Sequence, residues 1–140
     1  MNGVSGRPDG PDGPDGPDGP DGPTVLVVDD EEPIRRLSAR ILARHGYRVV
    51  LAEDGARALA ILRDRGPEIA ALLTDIAMPR MDGHELAARV GAVRPDVAVL
   101  YMSGQAQPDL RSGGVLVTKP FSAADLVDAL ERTLAATPRR

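Results

Sequence analysis

The chain has 140 residues, no cysteine, three aromatic side chains and a formal net charge of −4. That length suits one domain with a tail and supplies no disulfide. The aromatics are too few for a base-stacking surface, and no apolar leader or membrane-length apolar run is present. A soluble cytoplasmic protein is expected, with neither nucleic acid nor membrane as partner.

The charge is unevenly placed. Asp9, Asp12, Asp15, Asp18 and Asp21 stand against Arg7 alone, whereas residues 24–140 hold 16 basic and 16 acidic side chains. Residues 8–22 read Pro-Asp-Gly five times. Collagen is rejected as the reading, because five triplets are few and Asp stands where collagen favours hydroxyproline. With no apolar side chain in the repeat, apart from proline, to offset ordering entropy, residues 1–23 are expected to form a disordered acidic tail. At about 3.1 Å per residue, an extended segment 8–23 would reach roughly 50 Å. Residues 24–138 are then the folded domain, long enough to bury about two-thirds of its unfolded surface.

Thr24-Val25-Leu26-Val27-Val28 is apolar on both faces, as in a central parallel strand. Pro33 suits an early helical position. Ile34, Leu37, Ile41 and Leu42 follow at helical spacing, and Gly46 marks the stop. Tyr47 to Ala52 predicts strand two. Asp54 can cap a second helix carrying Ala58, Leu59 and Leu62, ending near Gly66-Pro67. Ile69 to Thr74 is a third strand that ends abruptly in Asp75. A third helix beginning near Gly83 shows Leu86, Val90 and Val93, and Pro95-Asp96 ends it. Val97 to Met102 and Val115 to Thr118 predict strands four and five. Ser122 can cap a last helix carrying Leu126, Leu130 and Leu134. Five strands alternating with helices imply a parallel sheet covered on both faces.

In a parallel sheet the carboxyl ends of all strands share one edge, where α/β folds bind ligands. Asp29 and Asp30 follow strand one, Asp75 strand three, Ser103 strand four and Lys119 strand five. Crowded carboxylates repel unless a cation sits among them, and a hard ion such as Mg2+ suits an all-oxygen set. Lys119 and Ser103 add a positive charge and a hydroxyl donor for phosphoryl oxygens. A carboxylate can act as a nucleophile and form an aspartyl-phosphate. Met78 and Met81 read as packing residues, and His45 and His84 as surface or helix-end residues.

Val25-Leu26-Val27-Val28-Asp29-Asp30-Glu31, Asp75 to Gly83, Met102-Ser103-Gly104 and Lys119-Pro120-Phe121, in this order, resemble the receiver domain of two-component response regulators. The resemblance spans residue 24 to about 136 and is similar to the C-terminal receiver of hybrid sensor histidine kinases. It implies a flavodoxin-like, doubly wound α/β fold with strand order 2-1-3-4-5. It makes Asp75 the phosphoacceptor, with Asp29, Asp30, Asp75 and the Ala77 backbone carbonyl as Mg2+ ligands. Ser103 and Lys119 would contact the phosphoryl group, and the Lys119-Pro120 bond would be cis. The donor would be a histidine kinase or a histidine phosphotransfer protein. The chain would be a single-domain monomer or weak dimer in a phosphorelay, not a turnover enzyme.

Two positions depart from the family pattern. Leu116 stands where members usually carry an aromatic residue three places before the lysine. Gly104 to Gly114 leaves eleven residues for a whole crossover, predicting a shortened fourth helix within Pro108 to Ser112. Both suggest a reshaped output face. Ala77 brings no polar group to the loop beside Asp75. The alternative reading is a receiver-like protein-binding module that acts without phosphorylation. A flavin-binding enzyme of similar architecture is disfavoured, since Asp29-Asp30-Glu31-Glu32 repels a phosphate after strand one.

Overall fold

The computed structural model describes residues 22–65, 68–104 and 115–136. Residues 1–21, the crossover in which a shortened fourth helix is expected, and the last four residues lie outside the described residues. In chain order the elements are β1 (Thr24–Val28), α1 (Glu32–Arg44), β2 (Arg48–Ala52), α2 (Gly55–Arg65), β3 (Ile69–Asp75), α3 (Gly83–Val93), β4 (Ala98–Ser103), β5 (Val115–Thr118) and α4 (Ala123–Ala136). The sheet is parallel throughout, with order β2-β1-β3-β4-β5. The parallel sheet anticipated from the strand pattern and the flavodoxin-like fold implied by the family resemblance are therefore present.

The alternation of side chains along each strand divides the core into two layers. Val25, Val27, Ala71, Leu73, Leu100 and Met102 point to one face and meet Leu42, Leu126 and Leu130. Leu26, Val28 and Leu72 point to the other and meet Ala58, Leu62, Leu86 and Val90. Every β1 residue is buried, as a strand covered on both faces requires.

Local chemistry sets the helix ends. Pro33 lies in the first turn of α1, and Gly46, at φ +92°, takes the left-handed conformation that ends it. Asp54 Oδ1 accepts the Arg57 N–H at 2.8 Å, and Asp82 Oδ1 accepts the Glu85 N–H at 2.8 Å. Ser122 and Asp125 cap α4 reciprocally, at 3.0 and 3.2 Å.

Two helical positions depart from the expected pattern. Leu37 is 40% exposed and Val93 68% exposed. In α1 the inward place beside Leu42 belongs to Ser38, whose small hydroxyl lies 4.0 Å from Met102 Sδ. A leucine there would overfill a site already bounded by β4. Val93 is the last residue of α3, whose buried residues end at Val90. Strand limits shift slightly too: Tyr47 precedes β2 and is buried, and β4 begins at Ala98 and extends to Ser103.

Candidate functional site

Parallel strands bring Asp29, Asp75, Ser103 and Lys119 to one edge because each follows or ends its strand there. The strand ends are tied together by backbone. Ile76 N–H donates to Met102 O at 3.0 Å, and Lys119 N–H donates to Ser103 O at 2.7 Å. Asp29 N–H donates to Ala52 O at 3.3 Å. These bonds fix the spacing of side chains that come from β1, β3, β4 and β5.

Asp29 is fully buried and Asp75 is 5% exposed, whereas Asp30 faces solvent. One carboxylate oxygen from each of the three lies within 4.8 Å of the others. Asp29 Oδ1 accepts the Glu31 N–H at 2.9 Å, and its backbone carbonyl accepts from Arg35 at 2.7 Å. Its other carboxylate oxygen faces Lys119. The Lys119 ammonium is shared: 3.0 Å to Asp29 Oδ2, 3.3 Å to Glu31 Oε1 and 3.4 Å to Asp75 Oδ2. Ser103 is buried at the end of β4, beside this group in the sheet edge. Ala77 is exposed in the loop two residues beyond Asp75.

One ammonium against several acids leaves the cleft negative. Burial, and then the Asp29 charge, push the Asp75 carboxyl up to about 6, although Lys119 pulls the other way. Burial disfavours the charged form of Lys119, but its hydrogen bond to Asp29 and the surrounding carboxylates outweigh that and raise its pKa. A cluster of hard oxygen ligands with unbalanced negative charge fits an oxygen-preferring divalent cation. The fit rests on the acids' mutual distances and on the raised Asp75 pKa, which a cation would relieve.

The loop behind Asp75 is also constrained. Gly83 N–H donates to Ile76 O at 2.9 Å, and a Cβ at Gly83 would collide with the Asp75 carbonyl oxygen. Glycine therefore lets α3 start against the residue that carries the central carboxylate. Arg80 in the same loop has φ +69°, an uncommon conformation for a non-glycine residue.

Met81 packs as expected, where a Cβ on Gly55 would stand. Two features escaped the reading of the residues. Glu31 holds Lys119, and at the N-cap of α1 it makes no side-chain capping bond. His84 is half-buried at the start of α3, its ring centroid 5.3 Å from that of Tyr101, and its buried Nδ1 has no hydrogen-bond partner among the described residues. Tyr101 is the register neighbour of Leu116, so an aromatic ring occupies the adjacent strand rather than β5. The alternation of β4 marks Tyr101 as inward, but nothing local marks its partner.

The comparisons with known proteins agree with this geometry. The family model "Response regulator receiver domain" matches residues 25–131. The response regulator receiver protein CpdR of Brucella abortus is 34% identical over 118 residues, covering 80% of this chain and 97% of CpdR. The sensor kinase CckA of the same organism is 33% identical over 119 residues, but this chain spans only 12% of it. The crystal structure of the receiver domain of NtrX from Brucella abortus superposes with a TM-score of 0.74 at 34% identity, covering 81% of this chain and 99% of that domain. With the sheet order, the strand-end acids and a near full-length relative in agreement, the chain belongs to the response regulator receiver family.

Proposed function

We propose that this receiver accepts a phosphoryl group on Asp75 and passes or reports it in a phosphorelay. The observation that carries the reading is the placement of a nearly buried Asp75 carboxylate beside two other acids and the Lys119 ammonium. The donor in this reading is a phosphohistidine on a histidine kinase or a phosphotransfer protein. A stretch of the sensor kinase CckA, 12% of its length, is similar to this chain.

An Asp75 carboxylate oxygen attacks phosphorus in line with the phosphohistidine nitrogen. The P–O bond forms as the P–N bond breaks, and the imidazole nitrogen keeps the bonding electron pair. With a carboxyl pKa of about 6, Asp75 is ionised and nucleophilic at neutral pH. Lys119, already 3.4 Å from Asp75 Oδ2, turns to the incoming phosphoryl oxygens. Ser103 donates its hydroxyl to the same group. Asp29, Asp30, Asp75 and the Ala77 carbonyl would hold Mg2+, which supplies charge neutralisation for the transferring group. The chain positions and stabilises its own modification and has no separate turnover substrate.

Incubation with acetyl phosphate and Mg2+, followed by intact-mass spectrometry, tests the reading. One added phosphoryl group on the wild type and none on Asp75→Asn supports it. Absence of the adduct together with absence of Mg2+ binding favours the phosphorylation-independent binding module, to which Leu116 in place of an aromatic residue also points.

A further inference from the structure

The fold leaves one basic helix face uncovered. α1 carries Arg35, Arg36, Arg40 and Arg44 against a single acid, Glu32. Arg35 turns to the Asp29 carbonyl, and Arg36 pairs with Glu32 at 2.7 Å. Arg40 and Arg44 are exposed and have no acidic partner among the described residues. They recur one turn apart on the outward stripe that also carries Leu37.

The polypeptide enters the fold beside the carboxyl end of that same helix. Gly22 N–H donates to Gly46 O at 2.8 Å, and Pro23 O accepts the Arg48 N–H at 3.0 Å. Gly46 lies two residues beyond Arg44, the last residue of α1. The residues before Gly22 hold five aspartates and one arginine. The acidic repeat is therefore tethered at one end of the basic stripe.

We propose that the Pro-Asp-Gly segment docks in cis along the outer face of α1, its aspartates facing Arg44, Arg40 and Arg36. Length permits it: residues 8–21 can extend roughly 40 Å at about 3.1 Å per residue. The helix they would follow is about 20 Å long at 1.5 Å per residue. Aspartates in such a segment recur about every 9 Å, whereas the arginines recur about every 6 Å, so the pairs are exchangeable rather than fixed. Each exposed pair contributes little alone. The tether raises the effective concentration to about the millimolar range, which lets several weak pairs act together. The docked segment neutralises the basic stripe, covers Leu37 and keeps other anionic surfaces from α1. This inference does not depend on phosphorylation of Asp75.

The absence of native cysteine allows one label to be placed. A nitroxide on Gly13→Cys in the full chain, read by paramagnetic broadening of backbone amides, tests the contact. At low salt the amides of residues 36–44 should lose at least half their intensity relative to α4. The loss should disappear near 0.5 M salt, where the Debye length is about 4 Å. Arg40→Glu with Arg44→Glu should abolish it, and adding Asp15→Lys, Asp18→Lys and Asp21→Lys should restore it. Broadening confined to the residues beside Gly22 and Gly46, or unchanged in the charge-reversed variant, overturns the proposal. So does broadening that appears only between copies, when labelled chain is mixed with isotope-enriched unlabelled chain.

Discussion

Lys119 leans toward Asp29 rather than Asp75. Its ammonium is 3.0 Å from Asp29 Oδ2 and 3.4 Å from Asp75 Oδ2, with Glu31 Oε1 between them at 3.3 Å. The Lys119 ammonium is thus divided among three acids, and the acid proposed to react holds the longest contact. Replacing a phosphoryl-free cleft by a phosphorylated one would give Lys119 a stronger anion to follow.

Lys119→Ala should leave the buried Asp29 and Asp75 carboxylates without their counter-charge. Removal of one partner of a buried pair costs about 3–5 kcal/mol, and the open cleft reduces that here to about 2 kcal/mol at pH 7.5. Urea unfolding should show that loss, and added Mg2+ or acidification should recover part of it. Glu31→Gln should change stability by no more than about 0.5 kcal/mol, because Glu31 is largely exposed.

Asp75→Asn should stabilise the metal-free protein at pH 7.5, on the order of 3 kcal/mol at most. The folded-state pKa of Asp75 is raised to about 6 from 3.8. The folded protein therefore binds the proton more tightly than the unfolded chain. The cost of an ionised Asp75 is complete above about pH 6 and disappears as pH falls below about 4. The wild type should close most of its deficit relative to Asp75→Asn between pH 6 and 4, in paired urea titrations with a chelator present.

Gly83→Ala should cost about 2–3 kcal/mol, the upper part of the range for overpacking. The new methyl would meet the Asp75 carbonyl oxygen and approach Ile76 Cα at 2.9 Å, which is backbone that cannot rotate away. Loss of the Asp75 amide's native chemical shift, beside a lowered urea midpoint, would locate the strain at the site.

Arg80→Gly should raise stability by about 0.5 kcal/mol. A left-handed conformation costs a non-glycine residue about 1–2 kcal/mol, and the added freedom of glycine in the unfolded chain returns part of it. The ion pair lost with Arg80, 3.4 Å from Asp54 and mostly exposed, offsets little. Thermal unfolding of the two proteins checks the sign.

The strands were legible in the sequence because each buried run stops at a polar or turn-forming residue. Val28 is followed by Asp29, Thr74 by Asp75, Met102 by Ser103 and Thr118 by Lys119. Topology then brings those residues to one edge, as the strand limits show. The helix faces were less legible. Apolar spacing admits Leu37 and Val93 to a stripe, but the width of that stripe depends on how much sheet lies beneath it. Nor does any local pattern announce the Glu31–Lys119 pair, 88 positions apart in the chain, or the contact of His84 with Tyr101. Both are products of packing between elements.

The most direct test of the proposed chemistry is borohydride trapping after phosphorylation by acetyl phosphate with Mg2+. Hydride reduces an acyl phosphate to the alcohol, so an aspartyl-phosphate becomes homoserine at the modified position. Peptide mapping should find homoserine at residue 75 of the wild type and nowhere in Asp75→Asn. Phosphorylated protein that yields homoserine at another aspartate, or none at residue 75, would contradict the assignment of Asp75 as the phosphoacceptor.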